Sequence, residues 1–249
     1  MTAPKTAAIL IIGDEILSGR TLDTNTQTIA TMLGEKGISV VHVRIVPDII
    51  DVIVENLNAI RGDVDYVFTT GGIGPTHDDK TAEAIAKAFG VALERNADAW
   101  ARLVRHYGGE ENMNPGRARM AMIPVGAKLI DNPVSVAPGF IMGNVHVMAG
   151  VPKIMQGMME GLVPNLAGGA IVHSRSVSAN LPESELAEGL ASIEAAHPGV
   201  SVGSYPKFHV GIVAAVTIVV RGVDLPTVER AISAVSDLMR QKGGQPVEN

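Results

Sequence analysis

The chain has 249 residues, of which 46% are hydrophobic and 18% charged, so it can bury a substantial core and shows no compositional sign of disorder. Its formal net charge is −6 and only 3% of its residues are aromatic. Both values argue against nucleic acid as a partner, because that affinity depends on basic side chains and stacking rings.

Strand and helix patterns alternate through the first 90 residues. Apolar, β-branched runs typical of strands occur at 7–12, 38–46 and 64–70. They alternate with stretches of helical periodicity at 26–37, 49–60 and 80–90. The links are short enough to require right-handed crossovers. The sequence therefore predicts an α/β fold with an open, mainly parallel sheet and helices on both faces.

The middle of the chain is less regular. We expect a helix near 98–107, two or three strands within 127–150, and a methionine-rich helix at 151–166. The methionines of that helix are interpreted as core filler and not as part of a cofactor site.

The pattern changes near residue 170, where a small α+β unit is predicted. Its order is strand, helix, strand, strand, helix, at 170–180, 182–197, 200–206, 209–222 and 225–243. We therefore place the domains at 1–170 and 171–249. The apolar run at 210–220 is too short for a membrane helix, which needs about 20 residues, so no membrane span is expected. The chain has no cysteine, which excludes disulfides and thiolate sites and is compatible with the cytoplasm.

Polar and glycine residues follow the first three predicted strands directly. They are Gly13-Asp14-Glu15, Pro47-Asp48 and Thr70-Gly71-Gly72. Ligands of open parallel sheets bind outside the carboxyl ends of the strands. All three clusters are therefore expected at one ligand-binding edge.

The stretch "TTGGIGPTHDD" (69–79) joins a predicted strand to a predicted helix. Backbone N–H groups of a glycine loop at a helix N-terminus form an anion site, which favours phosphate binding. The alternative is a tight turn with an aspartate N-cap. The loop matches neither the Walker pattern nor the GxGxxG fingerprint.

Carboxylates accumulate at the same edge. Asp14, Glu15, Asp48, Asp78 and Asp79 would bring negative charges close together, which is unfavourable unless a cation lies between them. Oxygen ligands beside a phosphate loop suit Mg²⁺ or a similar ion. Taken singly, Asp48 is equally well explained as an N-cap. No Ser-His-Asp or HExxH pattern occurs.

Two long motifs carry a family resemblance. "IIGDEILSGRTLDTNTQTIATMLGEKGISV" and "TTGGIGPTHDDKTAEAIA" resemble the amino-terminal region of competence/damage-inducible protein A, whose molybdopterin-binding fold is shared with proteins of the MoaB and MogA type. "RIVPD" and "NPVSVAPGF" are similar to further motifs of the family, and "VGSYP" (202–206) to its small KH-type domain. Ser135-Val136 stands where many full-length members have glycine-threonine. The chain resembles a short form that lacks the carboxy-terminal amidohydrolase domain.

The resemblance implies roles for individual residues. Asp48 and Asp79 match the catalytic aspartates, and the implied metal ligands are Asp14, Asp48, Asp78 and Asp79. The implied ligand-binding residues are Gly13, Thr70, Gly71, Gly72, Gly74, Asn132, Ser135 and Gly139.

The resemblance also implies functions. Some relatives hydrolyse ADP-ribose to AMP and ribose 5-phosphate with a divalent metal, here Mg²⁺, Mn²⁺ or Co²⁺. The alternatives are molybdopterin binding without turnover, and adenylyl transfer to molybdopterin. A cytoplasmic homo-oligomer, dimer or trimer, is implied. The second unit has no GXXG loop for RNA, so we interpret it as structural or dimer-forming.

Overall fold

A computed structural model describes residues 5–207 and 215–248 of the chain. The chain divides into two compact units, Met1–Ala170 and Ile171–Asn249. Residues 209–214 of the strand predicted at 209–222 lie outside the described residues.

The first unit contains eight strands and seven α-helices within its described residues. In chain order they are β1 (Lys5–Ile12), α1 (Asp14–Leu17), α2 (Asn25–Gly34), β2 (Ile38–Val46), α3 (Ile50–Arg61), β3 (Tyr66–Thr70), α4 (Thr81–Phe89), β4 (Leu93–Arg95), α5 (Ala97–Tyr107), α6 (Pro115–Arg119), β5 (Met122–Pro124), β6 (Lys128–Ile130), β7 (Gly139–Met142), β8 (Val145–Met148) and α7 (Pro152–Leu162).

Six of these strands form one sheet, in the order β2-β1-β3-β8-β7-β6. The pairs β1–β2, β1–β3 and β3–β8 are parallel, whereas β7 runs antiparallel to both of its neighbours. The predicted open, mainly parallel sheet is confirmed. A turn at Gly143-Asn144 joins β7 to β8, with Gly143 at a φ of +59°.

Helices cover both faces of this sheet, as predicted. Ala8, Leu10 and Ile12 of β1 pack with α3, α4 and α5, whereas the alternate residues of β1 pack with α2 and α7. Met155, Met158 and Met159 of α7 are fully buried in the second of these cores, which confirms their interpretation as core filler.

The chain reverses its direction of winding between β1 and β3. From β1 it crosses to β2 on one side, and from β2 it returns to β3 on the other side of β1. Helices α2 and α3, which make these two crossovers, pack on opposite faces. Their separation opens a crevice at the carboxyl ends of β1 and β3, the switch point at which such sheets bind ligands.

Some boundaries and caps differ from the sequence predictions. Helix α2 ends at Gly34 and not at residue 37, and α7 ends at Leu162, where a 3₁₀ turn follows. The two-stranded pair β4–β5 was not predicted, because three-residue strands are too short to show periodicity. The N-caps of α3 and α4 are Ile49 and Lys80, so none of the loop aspartates caps either helix.

The second unit contains β9 (His173–Ala179), α8 (Glu183–Ala196), β10 (Val200–Lys207), β11 (Ala215–Gly222), α9 (Leu225–Gln241) and β12 (Val247–Glu248). The strands form an antiparallel sheet in the order β10-β11-β9-β12, and α8 and α9 share one apolar core with it. The predicted order of the first five elements is confirmed. None of the helices in residues 5–207 and 215–248 has the length and apolar character needed to cross a membrane.

Candidate functional site

A cavity of about 480 Å³ opens at the carboxyl ends of the parallel strands. Its walls come from the ends of β1 and β3, the segment after β8, and the turn that precedes β7. The lining includes Ile12, Glu15, Thr21, Asp48, Gly71, Gly72, Gly74, Thr76, Asp78, Asp79, Asn132, Ser135 and Gly150.

Glycine is required at two successive positions of the loop after β3. A Cβ at Gly71 would lie 2.0 Å from the carbonyl oxygen of Ile12, and a Cβ at Gly72 would lie 2.2 Å from Thr81 Oγ1. Both residues have positive φ, +100° and +67°. The loop therefore approaches β1 and α4 more closely than any side chain allows.

Thr81, the first residue of α4, holds this loop in place. Its hydroxyl donates to the Gly71 carbonyl over 2.8 Å, and its N–H donates to the Gly72 carbonyl over 3.0 Å. The Gly71 N–H donates to the Met148 carbonyl over 3.2 Å, which anchors the loop to β8. Within the described residues, the N–H groups of Gly72 and Gly74 have no acceptor. These two amides are thus available to an anionic ligand.

Asp79 closes a turn within the loop. Its Oδ2 accepts from the Thr76 N–H over 2.7 Å and from the Thr76 hydroxyl over 2.5 Å. A Cβ at Gly74 would lie 2.8 Å from the same Oδ2. Asp79 is therefore held against the glycine backbone, where it faces the cavity.

Asp48 lies on the other side of the glycine loop, half-buried after β2. Its Oδ2 accepts from the Asp14 N–H over 3.2 Å, and its Oδ1 lies near Gly72. Burial is the main cause that raises the pKa of Asp48 above its usual value. The charges of Asp14, Glu15 and Asp78 raise it further, while the Asp14 N–H opposes the shift.

The cavity is strongly acidic. Four carboxylates line it, from Glu15, Asp48, Asp78 and Asp79, and none of its described lining residues is lysine, arginine or histidine. Arg119 lines a small neighbouring pocket together with Gly74 and Asp79. A polyanionic ligand would therefore meet net negative charge here unless a cation accompanies it.

The predicted metal ligands Asp14, Asp48, Asp78 and Asp79 are near one another, but they do not form a preformed cage. Throughout residues 5–207 and 215–248, no three His, Cys, Asp or Glu side chains are placed to hold one ion. The donor set nevertheless fits Mg²⁺, which is usually held by one or two carboxylates together with waters and ligand phosphates. Asp48 and Asp79 are the two carboxylates beside the glycine loop.

The turn before β7 is organised by Asn132, which is buried. Its Oδ1 accepts from the N–H groups of Val134 and Ser135, and its Nδ2 donates to Ser135 Oγ over 2.7 Å and to the Ala137 carbonyl over 2.8 Å. The Asn132 amide therefore shapes the turn. The Ser135 hydroxyl accepts from Asn132, so its own hydrogen can be donated to a ligand.

Not all of the site residues implied by the resemblance, whether ligand-binding residues or metal ligands, line the cavity. Gly13, Asp14, Thr70 and Gly139 do not, although the other eight predicted site residues do. Gly139 has a packing role, because a Cβ there would lie 2.2 Å from the Val147 carbonyl oxygen. Gly13 donates its N–H to the Val46 carbonyl, which links the ends of β1 and β2.

The sequence interpretation missed Thr21, Thr76 and Gly150, which line the cavity. Gly71 was identified because ligands bind at the carboxyl ends of parallel strands. Gly150 follows β8 in the same way, but β8 was not recognised from the sequence as a fourth parallel strand. Thr76 lies within the quoted loop, but its contact with Asp79 depends on the turn geometry. No sequence signal distinguishes Thr21.

Family models match both units of the chain. The family described as "Probable molybdopterin binding domain" matches residues 8–168, and the family "FAD synthase, middle domain" matches residues 171–248. A protein of Archaeoglobus fulgidus is 32% identical over 234 residues, which cover 94% of this chain and 98% of that protein.

Two relatives carry an informative name. A CinA-like protein of Desulfosudis oleivorans is 38% identical over 214 residues, which cover 81% of this chain but only 52% of the relative. The crystal structure of CinA from Thermoplasma acidophilum, described as a protein of unknown function, superposes with a TM-score of 0.62 at 36% identity. That match covers 65% of this chain and 97% of the crystallised one.

Proposed function

The chain belongs to the family of probable molybdopterin-binding domains and to its CinA-like members, and from its cavity we propose that it is a divalent-metal-dependent hydrolase of a nucleotide pyrophosphate such as ADP-ribose. The products would be AMP and ribose 5-phosphate. Asp48 and Asp79 are the residues that we expect to carry the reaction.

One observation carries this proposal: unpaired glycine amides and four carboxylates line the same cavity. The amides of Gly72 and Gly74 suit phosphate oxygens. The carboxylates repel the same oxygens unless a cation lies between them. A pyrophosphate bound together with a divalent cation satisfies both requirements.

A divalent cation bound by Asp48 and Asp79 would offset the charge of the pyrophosphate and lower the pKa of a water molecule. In the reaction, a water oxygen forms a bond to one phosphorus while the bond from that phosphorus to the bridging oxygen breaks. Asp48 would orient this water beside the cation, and the proton of the water would leave to solvent, because coordination to a cation offsets the effect of burial on the pKa of Asp48. Asp79 is fixed by Thr76 and orients the bound groups.

A second candidate is binding of molybdopterin, with or without adenylyl transfer. It is favoured by the family description and by the apolar part of the cavity wall, which includes Ile73, Met120 and Ile154. These side chains offer a surface to the flat ring of a pterin, while the glycine amides would hold its phosphate.

The second unit is proposed to be structural or dimer-forming, and its KH-type character stays a prediction. Residues 171–248 match the family described as "FAD synthase, middle domain", and no KH-type family matches them among the comparisons reported above. Light scattering would measure whether the protein forms the proposed dimer or trimer.

The test is release of AMP from ADP-ribose, followed by chromatography with Mg²⁺, Mn²⁺ or Co²⁺ and with EDTA as control. Asp79→Asn runs alongside, since it keeps the shape of the Thr76 turn. We expect metal-dependent turnover that Asp79→Asn abolishes. If the folded protein releases no AMP with any of the three metals, the hydrolase proposal is wrong. Pterin binding would then be the remaining candidate function.

A further inference from the structure

A small side pocket of about 40 Å³ adjoins the main cavity. The two share Ile12, Glu15, Thr21, Gly150 and Pro152 as lining residues. The side pocket extends toward the start of α2 and the end of β3, and it is lined in addition by Asn25 and Thr70. Part of a ligand in the main cavity can therefore reach it.

Two buried oxygens of this pocket have no hydrogen-bond partner. Thr70 is 1% exposed and Asn25 is 6% exposed. Neither Thr70 Oγ1 nor Asn25 Oδ1 has a partner within the described residues, and both are shielded from solvent. An unsatisfied buried polar atom destabilises a protein by about 1–3 kcal/mol. Two such atoms at one pocket indicate a group that binds there.

The orientation of Asn25 defines what that group must offer. Its Nδ2 donates to the Gly150 carbonyl over 2.8 Å, so its Oδ1 is the atom that faces no partner. That oxygen can only accept a hydrogen bond, whereas the Thr70 hydroxyl can donate or accept. The Glu15 carboxylate at the pocket wall also only accepts. The binding group must therefore bring hydrogen-bond donors.

We propose that this side pocket binds the hydroxyl groups of a ribose of the ligand, with Asn25 and Thr70 as the residues that recognise it. The inference rests on the proposed function, since it assumes a nucleotide ligand. Carboxylate and amide oxygens are common partners of ribose hydroxyls in nucleotide sites. A pocket of about 40 Å³ has room for a few water-sized groups, so it fits a diol and excludes a pterin or adenine ring.

The chain contains a matched control for Thr70. Thr69 is the preceding residue of β3, is fully buried, and also has an Oγ1 without a partner in the described chain. Neighbouring residues of a strand point to opposite faces, and Thr69 lines neither the cavity nor the side pocket. Replacement of either threonine by valine removes a hydroxyl that makes no bond within the protein. We expect both variants to fold with unchanged or slightly raised thermal stability.

The experiment measures dissociation constants of ADP-ribose, as its non-hydrolysable α,β-methylene analogue, and of ADP by calorimetry in Mg²⁺ for wild type, Thr70→Val, Thr70→Ser and Thr69→Val. We expect Thr70→Val to weaken ADP-ribose about three- to tenfold, the effect of one neutral hydrogen bond. Thr70→Ser and Thr69→Val should stay within about twofold of wild type. If Thr70→Val weakens the binding of ADP-ribose but not of ADP, the terminal ribose occupies the side pocket. If it weakens the binding of both ligands, the adenosine ribose occupies the side pocket.

Two results would overturn the inference, and they are distinguishable. Equal ADP-ribose affinity in Thr70→Val and Thr69→Val removes the side pocket as a ribose site and leaves the proposed function intact. Absence of ADP-ribose binding by the wild-type protein with any of the three metals removes the proposed function and the inference together.

Discussion

The carboxylate of Asp48 accepts a hydrogen bond of 3.2 Å from the backbone N–H of Asp14 across the carboxyl ends of β2 and β1. This bond is the principal interaction that favours the ionised form of Asp48. It is outweighed by burial and by three neighbouring carboxylates, so the protein holds a charge there at the expense of stability. Such a balance is typical of functional sites.

Asp48→Asn should therefore stabilise the fold at neutral pH while it abolishes turnover. The pKa of Asp48 is higher in the folded state than in the unfolded state, so ionisation of this carboxyl lowers the free energy of unfolding. Below the unfolded-state pKa of about 3.8 wild type and variant should be equally stable, and wild type should lose stability as the pH rises through the folded-state pKa. The gain at pH 7 should be a few tenths to about 1 kcal/mol, since the group is partly exposed. Urea unfolding at pH 7 and pH 3.5 measures it. Asp63→Asn, at an exposed carboxylate, is the control and should show no such gain.

Burial of the His146 ring should make the free energy of unfolding decrease in acid. The ring stacks on Phe68 with centroids 5.0 Å apart, and burial lowers its pKa. The unfolded state therefore binds the proton more tightly, so stability is fully present above about pH 6.5 and is lost as pH falls toward the folded pKa.

The measurement is the free energy of unfolding between pH 5 and 8. His146→Phe should flatten this profile, and His42→Gln, at an exposed position, should leave it unchanged. An unaltered slope in His146→Phe would show that other groups cause the loss.

Gly72→Ala should disrupt the ligand loop. The new Cβ would lie 2.2 Å from Thr81 Oγ1, in a conformation with a φ of +67°. Gly19→Ala is a matched control, because Gly19 has a φ of +72° and nothing within 4 Å of the added Cβ. Both changes should destabilise by about 1 kcal/mol from backbone strain, and Gly72→Ala by about 1–3 kcal/mol more. Thermal unfolding measures the stability of both variants, and ADP-ribose affinity measures the damage to the ligand loop. Equal stability of Gly72→Ala and Gly19→Ala would refute the close contact between Gly72 and Thr81.

Val136 is strained in the turn that places Ser135. It has a φ of +68°, which is rare for a β-branched residue. Val136→Gly should stabilise the protein by about 1 kcal/mol, because relief of the strain exceeds the backbone entropy that glycine adds. Val134→Gly, two residues away and without positive φ, should destabilise by about 0.5–1 kcal/mol. Chemical unfolding of both variants checks the sign, and a loss of stability in Val136→Gly would contradict the account.

The sheet and its ligand-binding edge were predictable because they depend on local patterns. The continuous apolar run before Gly13 and the β-branched run before Asp48 identify parallel strands, and parallel strands bring their carboxyl ends together. Details that depend on non-local contacts were not predictable. The Gly71 amide is occupied by Met148, and Asp79 bonds Thr76 and caps no helix. The positive φ of Val136, in the turn that Asn132 organises, likewise leaves no trace in the periodicity of the sequence.

The requirement for a cation is the central claim, and the most direct test is the affinity of ADP-ribose with and without divalent metal. Calorimetric titrations of wild type and Asp48→Asn with the non-hydrolysable α,β-methylene analogue of ADP-ribose, in Mg²⁺ and in EDTA, measure it. We predict that wild type binds at least tenfold more tightly in Mg²⁺ than in EDTA, since four carboxylates line the cavity. Asp48→Asn should lose most of that difference. Tight binding by wild type that is equal in Mg²⁺ and EDTA would contradict the account.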